Sequence, residues 1–280
     1  MIRGIQIYDY NDNLIYDNNF ARYTLNLPII MSVILDAKRS LVREIEHMDI
    51  GRYRLSLMLE PDYTIALLAD RMNKYEELEN FLKAVNKKVL ELSNGKSIDK
   101  IFEDQEKRDQ FDEEVENQIR KIPVKITFAG SGNVGKTTIV NLVAKHKIIR
   151  DYVPTIMADV EQLDFNLGVF SVSLFTVAGQ KDYRTTWDIV SEATDIVVLV
   201  LDSTEGNLRE TKDIIIPAMR KHAPYARYVA IANKQDLPNA LPPAEIEEVI
   251  GLPTFGLIAI REDAKYKILG ILQDIITTVP

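Results

Sequence analysis

Hydrophobic and polar positions alternate along the first part of the chain in stretches that predict strands. "IRGIQIYDY" and "NLIYDNNF" have a period of two and meet at "NDN", which predicts a β-hairpin. "YRLSLMLE" and "YTIALLAD" are separated by Pro61-Asp62, which predicts a second hairpin. Between the hairpins, from Pro28 onwards, the apolar spacing becomes helical. The residues with this spacing are Ile30, Val33, Ile34, Ala37, Leu41, Val42 and Ile45.

The stretch "NKYEELENFLKAVNKKVLEL" predicts an amphipathic helix that ends near Gly95. The apolar face of this helix comprises Tyr75, Leu78, Leu82, Val85, Val89 and Leu92. The predicted order is therefore strand, strand, helix, strand, strand, helix. This order indicates a small antiparallel sheet with helices on one side.

A charged helical segment follows over residues 98–121, with a thin apolar stripe. We interpret this segment as a solvated connector lying on a domain; a signalling lever is the alternative. The stripe comprises Ile98, Ile101, Phe102, Phe111, Val115 and Ile119. We place the boundary near Pro123, which predicts an α+β domain at 1–97, a connector at 98–121 and a second domain at 122–280.

In the second domain, buried strand-like runs alternate with helical stretches. The runs are "VKITFAG", "FSVSLFTV", "DIVVLVLD" and "ARYVAIAN", and each ends in a loop with polar residues. This pattern predicts an α/β fold with a doubly wound, mostly parallel sheet. Such a sheet binds ligands at the carboxyl ends of its strands.

Composition and charge exclude several classes of protein. The net charge is −8, with −5 over residues 1–121 and −3 over 122–280, so neither half has the basic surface typical of nucleic-acid binding. The chain has no cysteine and three dispersed histidines, which excludes thiolate metal sites and disfavours a histidine site. No secretory signal, myristoylation motif or prenylation motif is encoded, so we expect a cytoplasmic protein without a direct lipid anchor, recruited to membranes only by a partner.

The stretch "GSGNVGKT" matches the pattern G-x-x-x-x-G-K-[ST] and lies between a predicted strand and a predicted helix. Main-chain N–H groups of such a loop bind phosphates, the lysine contacts β/γ oxygens, and the hydroxyl of Thr137 binds Mg²⁺. A glycine-rich turn arising by chance is the alternative, which the strand–helix context disfavours. The predicted nucleotide-binding residues here are Gly130, Ser131, Gly132, Asn133, Val134, Gly135, Lys136, Thr137 and Thr138.

The stretch "ANKQD" follows a strand-like run about 100 residues later. A carboxylate at Asp236 can accept both N1–H and the 2-amino hydrogens of guanine, whereas adenine offers no such pair. We expect Asn233 to tie the loop together and the stem of Lys234 to pack on the base plane. The two motifs in one α/β domain favour GTP over ATP.

Together these motifs resemble those of the small GTPases, most closely the Arf branch. "ANKQDLPNAL" with "PPAEIEEVIGLP" is similar to the Arf base-binding region, "VPTI" to its first switch and "AGQKDYRTTW" to its second, with Trp187 where Arf proteins carry one. "AIREDAKYKIL" is similar to the last base-contacting loop. The resemblance implies a main-chain contact from Ala259 to the guanine oxygen, with Ile260 beside it. It covers essentially all of residues 122–280.

The resemblance also implies the catalytic residues. Gln180 orients the attacking water, Gly179 donates its N–H to the γ-phosphate, Lys136 contacts the phosphates, and Thr155 closes over Mg²⁺. The family's aspartate before the second switch is replaced by Thr176, in a "T-V-x-G-Q" wording that resembles the prokaryotic MglA-type relatives. Thr176 can still hold a Mg²⁺-bound water as an outer ligand, but without charge.

These residues predict a Mg²⁺-dependent GTP switch that is slow without an activator. Two arginines, Arg150 and Arg184, are candidates for a catalytic arginine in cis; because neither matches a family motif, a solvent-exposed or structural position is the favoured interpretation. A catalytically inert pseudo-GTPase scaffold that keeps guanine nucleotide bound is the alternative; an ATP-using P-loop enzyme is a further one. The expected partners are GTP or GDP and a protein effector or activator at the switch segments.

The element order of residues 1–97 is similar to that of longin or roadblock-type domains, which accompany small GTPases. A longin domain fits better because the chain starts with a strand; a generic α+β interaction domain is the alternative. The resemblance implies a regulatory or partner-binding module that docks on the switches or mediates dimerisation.

Overall fold

The computed structural model describes residues 1–37, 44–95, 97–144, 160–177 and 194–278. The chain divides into two compact units, one comprising Met1–Ile122 with Thr277–Pro280 and the other Pro123–Ile276. Within the described residues, no helix is both long and apolar enough to cross a bilayer.

The first unit is built on a five-stranded antiparallel sheet with the strand order β2-β1-β5-β4-β3. The strands are β1 Ile2–Asp9, β2 Leu14–Asn19, β3 Ile45–Ile50, β4 Tyr53–Leu59 and β5 Tyr63–Asp70. Both predicted hairpins are confirmed, as β1–β2 and β4–β5. The helical spacing from Pro28 is confirmed only in part: α1 is Leu27–Ala37, whereas Ile45 begins β3. Leu41 and Val42 lie outside the described residues.

The sheet of the first unit has helices on both faces, so the prediction of helices on one side was wrong. Alternate residues of β5 face opposite sides of the sheet. Ala66 and Leu68 pack in one cluster with Met31 of α1, whereas the hydroxyl of Tyr63 hydrogen-bonds Asn86 of α2, which is Tyr75–Ser93. All eight residues of β5 are therefore buried.

The amphipathic helix α2 is confirmed, and it ends at Asn94 in a left-handed conformation, followed by Gly95. Tyr75, predicted on the apolar face, is 51% exposed. Its ring lies against the guanidinium of Arg54, 3.9 Å from Cζ to the ring centroid.

The charged segment after α2 forms two helices, α3 Asp99–Glu103 and α4 Gln105–Arg120, which belong to the first unit. Phe111, Val115 and Ile119 are buried. Tyr16 of β2 packs edge-on against Phe111 at 4.9 Å between centroids. The apolar stripe is thin because a single face of α4 supplies core side chains, while the charged residues remain in water.

The second unit contains a six-stranded sheet with the order β11-β10-β9-β6-β8-β7, in which only β7 is antiparallel to its neighbour. Its strands are β6 Val124–Ala129, β7 Val160–Leu167, β8 Phe170–Val177, β9 Ile196–Asp202, β10 Arg227–Asn233 and β11 Thr254–Gly256. The four predicted strands are confirmed; β7 and β11 were not predicted. Residues of β6, β9 and β10 are almost wholly buried, as expected for central parallel strands.

The described helices of the second unit begin with α5, Lys136–Ala144. A continuous helical stretch follows β9: α6 Glu205–Glu210, a π-helical turn Thr211–Ile215 and α7 Ile216–His222. The last two are α8 Pro243–Ile250 and α9 Ala264–Thr277. The carboxyl ends of the parallel strands β6, β9 and β10 share one edge of the sheet, so the loops that follow them lie together there.

Candidate guanine-nucleotide site

The loop between β6 and α5, residues 130–135, is here called the phosphate loop. Gly130, Asn133 and Gly135 have positive φ angles of 149°, 63° and 102°. A Cβ at Gly130 would collide with the main-chain oxygen of Val200, and one at Gly135 with the side-chain amide of Asn233. Glycine is therefore required at both ends of the loop, by close approach as well as by backbone conformation.

Lys136 begins α5 and turns its ammonium group back into this loop. Nζ donates to the main-chain oxygens of Gly130 at 2.8 Å and Ser131 at 2.7 Å. The side chain is buried, and burial lowers the pKa of Lys136. Within the described residues, no carboxylate forms an ion pair with it. A buried cation held only by neutral carbonyls is suited to an anion brought from outside.

Asn233, at the end of β10, connects three loops. Its Nδ2 donates to the oxygen of Val134 at 2.9 Å, and its Oδ1 accepts from the N–H of Ala259 at 3.0 Å. The side chain is 3% exposed. The predicted function of tying the base loop together thus extends to the phosphate loop as well. The phosphate loop and the base loop, residues 233–236, are held in one geometry by a single amide.

Ser203, which follows β9, forms hydrogen bonds with the base loop. Its Oγ donates to the oxygen of Asn233 at 2.6 Å and accepts from Nε2 of Gln235 at 2.6 Å. Its main-chain oxygen accepts from the N–H of Leu241 at 2.7 Å. Sequence analysis did not identify Ser203, although its position just after a buried parallel strand is where such residues are expected.

Lys234 also has a positive φ, of 63°, and its ammonium pairs with Asp202 Oδ2 at 2.7 Å. Burial alone raises the pKa of Asp202, but hydrogen bonds from Lys234 and Thr204 outweigh it and hold that pKa below its usual value. Asp236 is exposed, and no described residue pairs with its carboxylate. That carboxylate is therefore accessible for a ligand.

The third predicted contact to a base, around Ala259, has a different environment from the one expected. The N–H of Ala259 is directed at Asn233, so its donation to guanine stays a prediction that requires this bond to be shared or exchanged. Ile260 is 80% exposed.

A Mg²⁺ ion is implied by the motifs, and the described oxygens fit it in part. Thr137 is exposed at the start of α5, and Thr176 is 5% exposed near the end of β8, paired in the sheet with Phe128 of β6. Both offer hard hydroxyl oxygens of the type Mg²⁺ binds, but neither carries charge. Within the described residues no cluster of carboxylate and imidazole groups could hold a metal by itself. A bound Mg²⁺ would therefore depend on ligand phosphates and water, with Thr137 as its protein ligand.

Thr155, Gly179 and Gln180 lie outside the described residues, as do Arg150, Arg184 and Trp187. Their predicted functions stay predictions. Ser131, Gly132 and Thr138 lie in the phosphate loop or the first turn of α5 as expected. Ser131 has a further partner that was not predicted: its Oγ donates to Glu210 Oε2 of α6 at 2.7 Å.

Comparison with known proteins identifies the family. Residues 113–271 match the Arf, ADP-ribosylation factor, family. ADP-ribosylation factor-like protein 5 of Caenorhabditis elegans is 34% identical over 149 residues, 52% of this chain and 79% of that protein. ADP-ribosylation factor-like protein 4C of Homo sapiens is 32% identical over 132 residues, 45% of this chain and 68% of that protein.

Two further similarities differ in how much of each protein they cover. ADP-ribosylation factor-like protein 13B of Chlamydomonas reinhardtii is 32% identical over 48% of this chain but only 26% of its own length. The solved Arl6 BBS3 small GTPase from Trypanosoma brucei, with bound GppNp, has 24% identity and a TM-score of 0.44, covering 54% of this chain and 96% of that one. The family match spans more than half of the 280 residues, and the chain belongs to the ADP-ribosylation factor family of small GTPases.

Proposed function

We propose that this chain is a guanine-nucleotide switch that binds GTP and hydrolyses it slowly to GDP and phosphate. Members of its family are GTP-binding molecular switches. The observation that carries the proposal is the side chain of Asn233, which bonds both the phosphate loop and the loop of Ala259. It holds the phosphate loop beside the base loop, an arrangement that suits a ligand with both a phosphate and a base.

In this proposal the described residues bind and orient the nucleotide. Lys136 exchanges its carbonyl partners for β/γ-phosphate oxygens, and the phosphate-loop N–H groups surround the β-phosphate. Asp236 accepts from guanine N1–H and the 2-amino group, and Lys234 covers the base plane. Mg²⁺, when bound, neutralises phosphate charge during hydrolysis. Thr137 would hold it, and Thr155 would join it from the first switch.

Thr176 would hold a Mg²⁺-bound water by its hydroxyl where a carboxylate is usual in the family. Loss of an outer-shell carboxylate weakens metal affinity by about 10- to 100-fold. We therefore expect Thr176→Asp to strengthen Mg²⁺ binding, and Gln180→Leu to reduce hydrolysis without loss of nucleotide. The "T-V-x-G-Q" sequence motif supports an MglA-like second switch.

The decisive experiment identifies the nucleotide that co-purifies with the chain and follows single-turnover GTP hydrolysis with and without Mg²⁺. Hydrolysis that requires Mg²⁺ and Gln180 supports the switch. A chain that retains guanine nucleotide but never hydrolyses it, with candidate activators present, would instead support the pseudo-GTPase scaffold. Binding of ATP that survives Asp236→Ala would contradict both. Arg150→Ala and Arg184→Ala, measured in the same assay, test a catalytic arginine in cis.

For the first unit we propose a longin-like module that regulates the switch or binds its partners. Two observations support this: the strands β1 and β2 precede α1, and the sheet has the order β2-β1-β5-β4-β3 with helices on both faces. The expected ligands of the protein as a whole are then GTP or GDP, Mg²⁺ and a protein effector or activator. Comparing GTP turnover of the full chain with that of residues 122–280, after a folding check, tests regulation by the first unit.

A further inference from the structure

The ion pair between Asp202 and Lys234 has a consequence beyond the roles of the two motifs. In the sheet, Asp202 of β9 is paired with Asn233 of β10. The next residue along the chain, Lys234, therefore lies close to the end of β9. Lys234 Nζ approaches Asp202 Oδ2 to 2.7 Å, and the lysine side chain is 35% exposed while that of Asp202 is 18% exposed. The lysine stem thus lies between a fixed Cα and a fixed ammonium group.

Both ends of this contact are held firmly. The other carboxylate oxygen of Asp202, Oδ1, accepts from the N–H of Thr204 at 3.0 Å, so the carboxylate cannot rotate freely. The left-handed backbone of Lys234, with φ at 63°, fixes the direction of its Cβ. A free lysine side chain samples many rotamers and loses that freedom when it is ordered. Here the protein has already ordered it.

From these contacts we propose that Asp202 is a positioning residue for nucleotide binding, which holds the aliphatic stem of Lys234 as a preformed platform for the face of the guanine ring. This inference rests on the proposed function. Asp202 does not contact the base in this scheme; it acts through Lys234. Preorganisation of this kind raises affinity by reducing the ordering cost of binding.

Lys234 and Asp236 would bind different parts of the base. The platform contacts the face of the ring and is insensitive to ring substituents. Asp236 reads the edge, including the 2-amino group, which guanine has and hypoxanthine lacks. Loss of the platform should therefore weaken GDP and IDP equally. Loss of Asp236 should weaken GDP much more than IDP.

The test uses the full chain and measures affinity for GDP, GTP and IDP by displacement of a fluorescent GDP. For Asp202→Asn we expect about tenfold weaker binding of all three nucleotides, about 1.4 kcal/mol. The ratio of GDP affinity to IDP affinity should not change. Asp202→Glu should recover part of the loss. The matched control is Asp195→Asn, just before the opposite end of β9, where the carboxylate accepts from the N–H of Lys125 at 2.9 Å. It should change thermal stability without changing affinity.

A double-mutant cycle shows whether Asp202 acts through the lysine. In a Lys234→Met background, where the apolar stem remains but the ammonium is gone, Asp202→Asn should cause no further loss. An equal loss in both backgrounds, or affinity within twofold of the unaltered chain, would overturn the platform. A fall in the ratio of GDP affinity to IDP affinity would show that the base loop itself had lost its structure, and this result would also overturn the platform. If the unaltered chain binds no guanine nucleotide, the proposed function fails as well.

Discussion

Two buried arginines of the first unit and the buried Lys136 of the second unit have different partners, and the difference bears on what each charge is available for. In the first unit the fully buried Arg3 pairs with Asp70 at 2.7 Å, and Arg54 pairs with both carboxylate oxygens of Asp49. In the second unit the buried Lys136 has, among the described residues, main-chain carbonyls as its hydrogen-bond partners and no carboxylate. A buried cation that is paired with a carboxylate is costly to remove, whereas one without a described anion is available for an anionic ligand.

The largest effect should come from removing a paired cation in the first unit. Arg3→Met leaves Asp70 buried without its guanidinium partner, and breaking a buried pair in this way costs about 3–5 kcal/mol. Denaturant unfolding of the full chain should show the loss in the transition of the first unit.

The control for that experiment is Arg71→Met. Arg71 contacts Asp49 at 3.1 Å but is 34% exposed, so its loss should cost less than about 1 kcal/mol. Equal losses for the two arginines would mean that burial does not decide the value of these pairs.

Removing Lys136 should weaken stabilisation by nucleotide without lowering the stability of the nucleotide-free chain. Lys136→Met abolishes a buried ammonium whose lowered pKa records a desolvation cost, so nucleotide-free stability should not fall. With GDP at 100 times its dissociation constant, the unaltered chain should gain about 2.7 kcal/mol and the variant almost none. Thermal melting with and without GDP measures both quantities. A large loss of stability without nucleotide would contradict the comparison.

Two glycines with positive φ, one in each unit, extend the comparison between the units. Gly51, in the β3–β4 turn with φ at 62°, has open space where a Cβ would lie, with no atom within 4 Å, so Gly51→Ala should cost only about 1–2 kcal/mol of backbone strain. Gly135→Ala would add a collision with Asn233. We expect weaker GDP binding for the second variant alone, measured beside unfolding for each. Unchanged GDP affinity in Gly135→Ala would argue against the bridge by Asn233.

The smallest effect concerns acid. Hydrogen bonds from Arg54 hold the pKa of Asp49 below 3.8, so this carboxylate stabilises the first unit above its unfolded pKa and loses that contribution as pH falls through its folded pKa. Asp49→Asn should flatten the pH dependence of unfolding below about pH 4 by less than about 1 kcal/mol, because the pair is partly exposed. If the unaltered chain and Asp49→Asn lost the same stability as the pH falls, other groups would be responsible for that pH dependence.

Periodicity predicted most strands of both units, because alternation and continuous apolar runs are local. It missed β7, among whose described side chains only Leu163 and Phe165 are buried, and β11, which has three residues. It extended α1 through Ile45 because apolar spacing cannot distinguish a helix that continues from a strand that starts. Residues 98–121 look solvated by composition, yet Phe111 and its neighbours are core, since only contact with Tyr16 and α2 reveals which stripe is buried.

The sequence by itself determined the phosphate loop and the base loop, because both motifs need particular residues at fixed spacing on a continuous chain. Tertiary structure alone decided how they are joined. The contacts of Asn233 with Val134, Lys234 with Asp202 and Ser131 with Glu210 link residues 99, 32 and 79 positions apart. Contacts over such separations depend on the order of strands in the sheet, which no local pattern of residues encodes.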